Sequence, residues 1–145
     1  FYNDEDAIPL APGSFAAQKY QLLISGTDTA FELAKKYDLL FGFGTDSQGS
    51  PALAERQGAQ LAKLVRYFEP WEVLKVATSQ NQEIFKRSGP RDPYPGENGV
   101  VREGAYADLL LVDGNPLENI DLIADPHTNF VIIMKDGVIY TNTLE

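Results

Sequence analysis

The segment Gly42-Phe43-Gly44-Thr45-Asp46-Ser47 puts a carboxylate at the end of a short apolar run, where the chain enters a Gly/Ser loop. Barrel and open α/β proteins place functional groups at this kind of position, outside the carboxyl ends of buried strands. An Asp there can ligate a hard or borderline cation, accept a proton from bound water, or hold a substrate ammonium. The plain structural alternative is that Asp46 caps the next helix or turn.

Other candidates carry less chemistry. His127, in Asp125-Pro126-His127-Thr128, is the sole histidine and lies in a polar turn, where solvation is the ordinary role. Asp28, Asp38, Glu55 and Glu83 fall on expected helices and mark wet faces. Asp108 stands before an apolar run and is expected to make a buried structural hydrogen bond. Trp71 with Tyr67 and Phe68 is expected in a core cluster, the alternative being an aromatic ligand platform. The chain has no cysteine, which removes thiolate catalysis, disulfides and Cys-ligated metals. It has no glycine-rich phosphate loop of P-loop or dinucleotide type.

The elements that must position Asp46 follow from periodicity and breakers. Residues 1–13, with Asp4, Glu5, Asp6 and the breakers Pro9, Pro12 and Gly13, read as loop. Ser14 is an N-cap for a helix to about Leu23; Gly26-Thr27 interrupts, and Asp28 caps a second helix to Tyr37. Leu39 to Asp46 fits a buried strand covered on both faces, as in a parallel sheet. Pro51 opens a helical stretch with Leu61, Leu64, Val65 and Phe68 on one face. Pro70 starts a further helix through Trp71, Leu74 and Ala77, and a last one carries Ile84 and Phe85 to a C′ glycine at Gly89. Residues 89–99 are a Gly/Pro-rich boundary. Strands are expected at 108–112, 130–134 and 138–140, with a turn at Asn115-Pro116-Leu117 and a type I′ hairpin turn at Asp136-Gly137.

The 145 residues carry 12 Lys/Arg against 21 Asp/Glu, a net charge of −9, with no basic cluster of the sort that binds phosphate backbones. No apolar run approaches the ~20 residues of a membrane-spanning helix. Hydrophobic content of 43% is that of a globular chain. A complete eight-stranded α/β barrel needs ~250 residues, so it does not fit. The chain opens Phe1-Tyr2-Asn3 and its one methionine is Met134, which leaves two readings open: Met removal or tag cleavage, or a piece of a longer protein.

Several stretches in order resemble the carboxy-terminal part of the amidohydrolase superfamily. Phe43-Gly44-Thr45-Asp46 resembles the end of that family's eighth barrel strand. Glu72-Val73-Leu74-Lys75-Val76-Ala77-Thr78 with Asn81 is similar to its helical A-L-x-x-A-T-x-N stretch. Gly99-x4-Gly104-x2-Ala107-Asp108-Leu109, continued by Asn115-Pro116-Leu117, resembles its G-x-I-x-x-G-x-x-A-D-L element. Val131 to Gly137 resembles its closing strands. The Gly-Thr-Asp-Ser strand end and Asn-Pro-Leu element look closest to the imidazolonepropionase-like and Xaa-Pro dipeptidase-like branch.

The resemblance implies an α/β fold made of a carboxy-terminal (β/α)8 TIM-barrel remnant, with the last strand and following helices in residues 1–88. A boundary at 89–99 follows, and residues 100–145 supply the carboxy-terminal half of a small β-sandwich. It implies that Asp46 binds a divalent metal, usually zinc, and takes a proton from attacking water in hydrolysis of C–N bonds. The family's other ligands are a His-x-His pair, a Lys or Glu, and further histidines, none of which this chain supplies. The expectation is therefore a fragment inactive alone, with no metal on this chain by itself and the remaining ligands on roughly 250 upstream residues. The expected partners are a small-molecule or dipeptide-like substrate and the missing amino-terminal portion or a second copy, with no nucleic acid or membrane. The compartment is cytoplasmic by default, any signal peptide lying upstream of Phe1. The alternatives are a free-standing, non-catalytic interaction module of the same fold, and a parent that is a deaminase.

Overall fold

The computed structural model of the protein describes residues 10–47 and 51–144; the acidic stretch at Asp4, Glu5 and Asp6 and the loop residues 48–50 lie outside them. Helix α1, Phe15–Lys36, opens the fold, with the Ser14 hydroxyl accepting from the Ala17 N–H as the N-cap expectation required. It does not break at Gly26. An interior glycine costs about 1 kcal/mol against alanine but does not forbid the helix. Here the Ser25 and Thr27 hydroxyls donate back to the carbonyls of Leu22 and Leu23, and Asp28 is drawn into a tertiary contact instead of a cap.

Residues 39–46, expected as a buried strand, form no ladder: no strand is assigned there. Along it Phe41, Phe43 and Thr45 are half-buried and Gly42, Gly44 and Asp46 exposed. A strand needs a neighbour to receive its N–H and C=O groups; here the Leu39 N–H turns back to the Ala34 carbonyl, and the Asn81 side chain takes both main-chain groups of Phe43. Burial alternates along the segment, so it is covered on one face and not on both as expected.

Two short helices follow, α2 (Pro51–Glu55) and α3 (Gln57–Ala62), and a 3₁₀ turn at Lys63–Arg66. Leu61, Leu64 and Phe68 are buried, but Val65, expected beside them, is 44% exposed. The tighter winding explains it, since three residues per turn align i with i+3 and rotate i+4 away. Helix α4 (Pro70–Lys75) runs through a π-helical turn at Val76–Gln80 into α5 (Asn81–Arg87). Gly89 beyond it has φ +57°, the left-handed C′ conformation that favours glycine. Lys86 then ties down the Gly/Pro-rich stretch, donating to the carbonyls of Tyr94 and Gly96 and pairing with Asp92 at 2.9 Å.

The carboxy-terminal third is a three-stranded antiparallel sheet in the order β1 (Leu109–Val112), β2 (Phe130–Lys135), β3 (Val138–Asn142). Asp136 and Gly137 both have positive φ between the paired Lys135 and Val138, which is the I′ signature read from the sequence. The Asn115 side chain accepts from the Leu117 N–H in the expected turn. Asp108 does make a structural hydrogen bond, accepting from the Asp136 N–H at 2.7 Å, but at an exposed position and not a buried one. It is the two-residue turn, held out in solvent, that recruits it.

One core joins the helices to the sheet. Leu61, Ala62, Leu64, Phe68 and Val73 pack with Ile120 and Ile123 of a 3₁₀ turn, and Val112 and Phe130 reach them from the strands. The aromatic part of this core is Phe31, Phe41, Tyr67 and Phe68, with centroids 4.5–6.4 Å apart. Trp71, expected among them, is 55% exposed. It is the residue after Pro70 in the first turn of α4 and follows the wet side of that helix. Among the described residues no helix is long and apolar enough to cross a membrane.

Candidate active site

Asp46 is positioned from behind by aromatic packing. Phe41 meets Phe31 edge-on and Phe68 at a tilt, and Phe43 packs against the same core, so the segment leading to Asp46 is anchored at alternate residues. Asp46 itself has φ +49°. Non-glycine residues in this left-handed region cost of order 1–3 kcal/mol, and such residues cluster at functional sites. The carboxylate is exposed and, among the described residues, no side chain pairs with it. It is not the N-cap of α2, which starts at Pro51, so the capping alternative fails for that helix. On either side of it the Thr45 and Ser47 hydroxyls lie 3.2 Å apart.

Asp46 borders a cleft of about 310 Å³ that runs between the 41–46 segment and Thr27 and Phe31 of α1, with Gln60 and Leu64 on the far wall. A carboxylate at the rim of a half-apolar cleft can take a proton or a cation while the walls exclude water from one side. Among the described residues the cleft brings in no further His, Cys, Asp or Glu. Among the described residues no three of His, Cys, Asp and Glu converge. His127 is exposed on the short helix α6 (Pro126–Asn129), before β2, as its solvated reading required.

Two features were not legible as parts of this site. Asp28, read as a wet-face residue, accepts a 2.5 Å hydrogen bond from the Tyr67 hydroxyl and pairs with Arg66 at 3.1 Å. It thereby holds α1 to the turn carrying the core aromatics. Asn81 pairs with the main chain of Phe43, three residues before Asp46. The sequence marks Asn81 as the Asn of the A-L-x-x-A-T-x-N stretch, inside a helix where its propensity is poor, but not as a partner of Phe43.

The amidohydrolase family model matches residues 14–142, and the chain belongs to that family. A crystal structure of an amidohydrolase is similar to it over 98% of this chain and 32% of that one, at 29% identity and a TM-score of 0.77. A prolidase complexed with N-methylphosphonate-L-proline is similar over 79% of this chain and 26% of its own, at 27% identity and a TM-score of 0.66. The A. niger ochratoxinase is similar over 92% and 28%, at 27% identity and a TM-score of 0.69. The chain thus spans between a quarter and a third of the length of these solved proteins. No curated protein matches it. Its mixed helix and sheet architecture is that of part of an amidohydrolase domain.

Proposed function

We propose that this chain is the carboxy-terminal part of a metal-dependent amidohydrolase that hydrolyses C–N bonds, and that Asp46 is its catalytic carboxylate and one metal ligand. The barrel remnant is residues 1–88, the sandwich portion 100–145. The observation that carries the reading is the state of Asp46: unpaired among the described residues, exposed, in left-handed backbone, and at the rim of a cleft inside the family match.

The donor set fits one ligand of a divalent cation, with zinc the first choice, and not a whole site. A catalytic zinc takes three protein ligands and water, so the others belong to segments outside this chain. When bound, such a cation lowers the pKa of water towards neutrality and polarises the scissile carbonyl. Asp46 accepts a proton from the attacking water at its carboxylate oxygen and returns it to the departing nitrogen, which must be protonated to leave. Thr27, Phe31 and Leu64 line the cleft that Asp46 borders.

Dipeptide-like and N-acyl amino acid substrates are the class we favour. The ligand of the similar prolidase carries a tetrahedral phosphorus on the proline nitrogen, where a peptide carries a planar carbonyl carbon. The test is Asp46→Asn in the intact protein, meaning this chain joined to the rest of the barrel, assayed on Xaa-L-Pro dipeptides and N-acyl amino acids. We expect kcat to fall by about 10²–10⁴-fold. Wild-type turnover in Asp46→Asn sinks the proposal, and release of free ammonia in place of an amino acid makes the parent a deaminase.

A further inference from the structure

Phe43 has a partner that a strand would normally supply. Its N–H donates to Asn81 Oδ1 at 3.0 Å, and Asn81 Nδ2 donates to its carbonyl at 3.0 Å. One planar amide thus makes both main-chain bonds of the residue, the exchange seen between hydrogen-bonded residues of an antiparallel pair. Two independent features serve this contact. Asn81 is the first residue after the π-helical turn Val76–Gln80, whose wider winding changes the direction in which the next side chains leave the helix; such turns occur frequently at functional sites. And Gly42 lies so near the helix that a Cβ there would stand 2.2 Å from Asn81 Oδ1 and 2.8 Å from Ile84 Cδ1. A side chain at 42 fits only if the Asn81 amide and the Ile84 end move aside.

We propose that Asn81 is a positioning residue for Asp46: its amide clamps the Phe43 main chain and so sets where the Asp46 carboxylate stands. The inference rests on the reading of Asp46 given above. Only Gly44 and Thr45 separate the clamped residue from Asp46, a reach of at most roughly 10 Å of extended chain. Phe41 and Phe43 fix the segment towards the core, but rings in a core do not fix its position along the helix surface. The amide, with a donor and an acceptor facing one peptide each, fixes both.

The test uses the intact, zinc-loaded protein with Asn81→Ala, Asn81→Asp, Gly42→Ala and Asp46→Asn. It follows the rate at which a chelator withdraws zinc, and kcat and KM on an Xaa-L-Pro dipeptide. Supporting groups of this kind are worth about 10–100-fold in metal affinity or activity. We expect Asn81→Ala to lose zinc faster and to lower kcat by about that factor with KM near wild type. A contact that served folding alone would lower the melting temperature and leave both readouts unchanged. Asn81→Asp keeps the shape and the acceptor but lacks the donor, and decides the matter should Asn81→Ala not fold. Gly42→Ala should match Asn81→Ala, because its Cβ displaces the Asn81 amide. Wild-type zinc retention and kcat in both Asn81 variants, with Asp46→Asn impaired, overturn the clamp and leave Asp46 standing. Wild-type behaviour in Asp46→Asn overturns the reading of Asp46, and the clamp's purpose with it.

Discussion

The Tyr67 hydroxyl donates to Asp28, and its titration follows from where it sits. Burial, and then this hydrogen bond, raise its pKa above the ordinary value of 10.0, with Arg66 pulling the other way. The folded state therefore prefers the protonated phenol. Its contribution to stability is complete below about pH 10 and is lost as pH rises through the raised value. We expect the melting temperature to fall more steeply above pH 10 for the wild type than for Tyr67→Phe, which has nothing to ionise there. Superimposable alkaline limbs in the two proteins would refute this. The pair is also where single-residue reading from the sequence was thinnest. Asp28 looked like a cap after Gly26, and nothing at that position announces a tyrosine 39 residues away.

At the scale of elements, two glycines with opposite roles make the packing testable. Gly58 in α3 lies against the 3₁₀ turn at Ile120–Ile123, and a Cβ there would stand 1.9 Å from the Ile123 carbonyl oxygen. That neighbour is backbone and cannot rotate aside, so Gly58→Ala should destabilise by about 2–3 kcal/mol. Gly26, inside α1, meets nothing within 4 Å. Gly26→Ala should stabilise by up to about 1 kcal/mol through helix propensity. Denaturant midpoints moving in opposite directions at unchanged slope are the expected result; equal shifts would mean that helix α3 does not seat on that turn. Local signals were legible here: the Ser14 cap, Gly89, and the Asp136-Gly137 turn all follow from rules spanning a few residues. The division of one helix into two at Gly26 was wrong because propensity is a weak prior that packing overrides.

For the whole molecule, the exposed apolar surface is the property with consequences. Phe15 and Leu22 of α1 are 81% and 74% exposed, and Leu110, Leu111 and Tyr140 stand out from a sheet whose two outer strands have open edges. Such faces and edges invite a covering partner. We propose that the remainder of the parent covers them, and that the isolated chain associates with itself instead. Light scattering at low micromolar concentration should give a mass above the 16.0 kDa of one chain. Because each chain carries a net charge of −9, association should strengthen as salt screens the repulsion. A monodisperse monomer at high and low salt would count against it.

The sequence by itself determined what depends on neighbours along the chain: helix caps, the hairpin turn, the three closing strands, and the family to which four ordered motifs belong. It also singled out Asp46, by its place after an apolar run. Only the tertiary structure decided that Asp46 has left-handed backbone at a cleft, that Phe43 is held by Asn81 across 38 residues, and that Val65 and Trp71 turn outward. The reason is range. Caps and turns are fixed by the dihedral preferences of a few consecutive residues. A hydrogen bond between distant segments depends on where packing brings them, and composition and periodicity do not encode that separately from the fold.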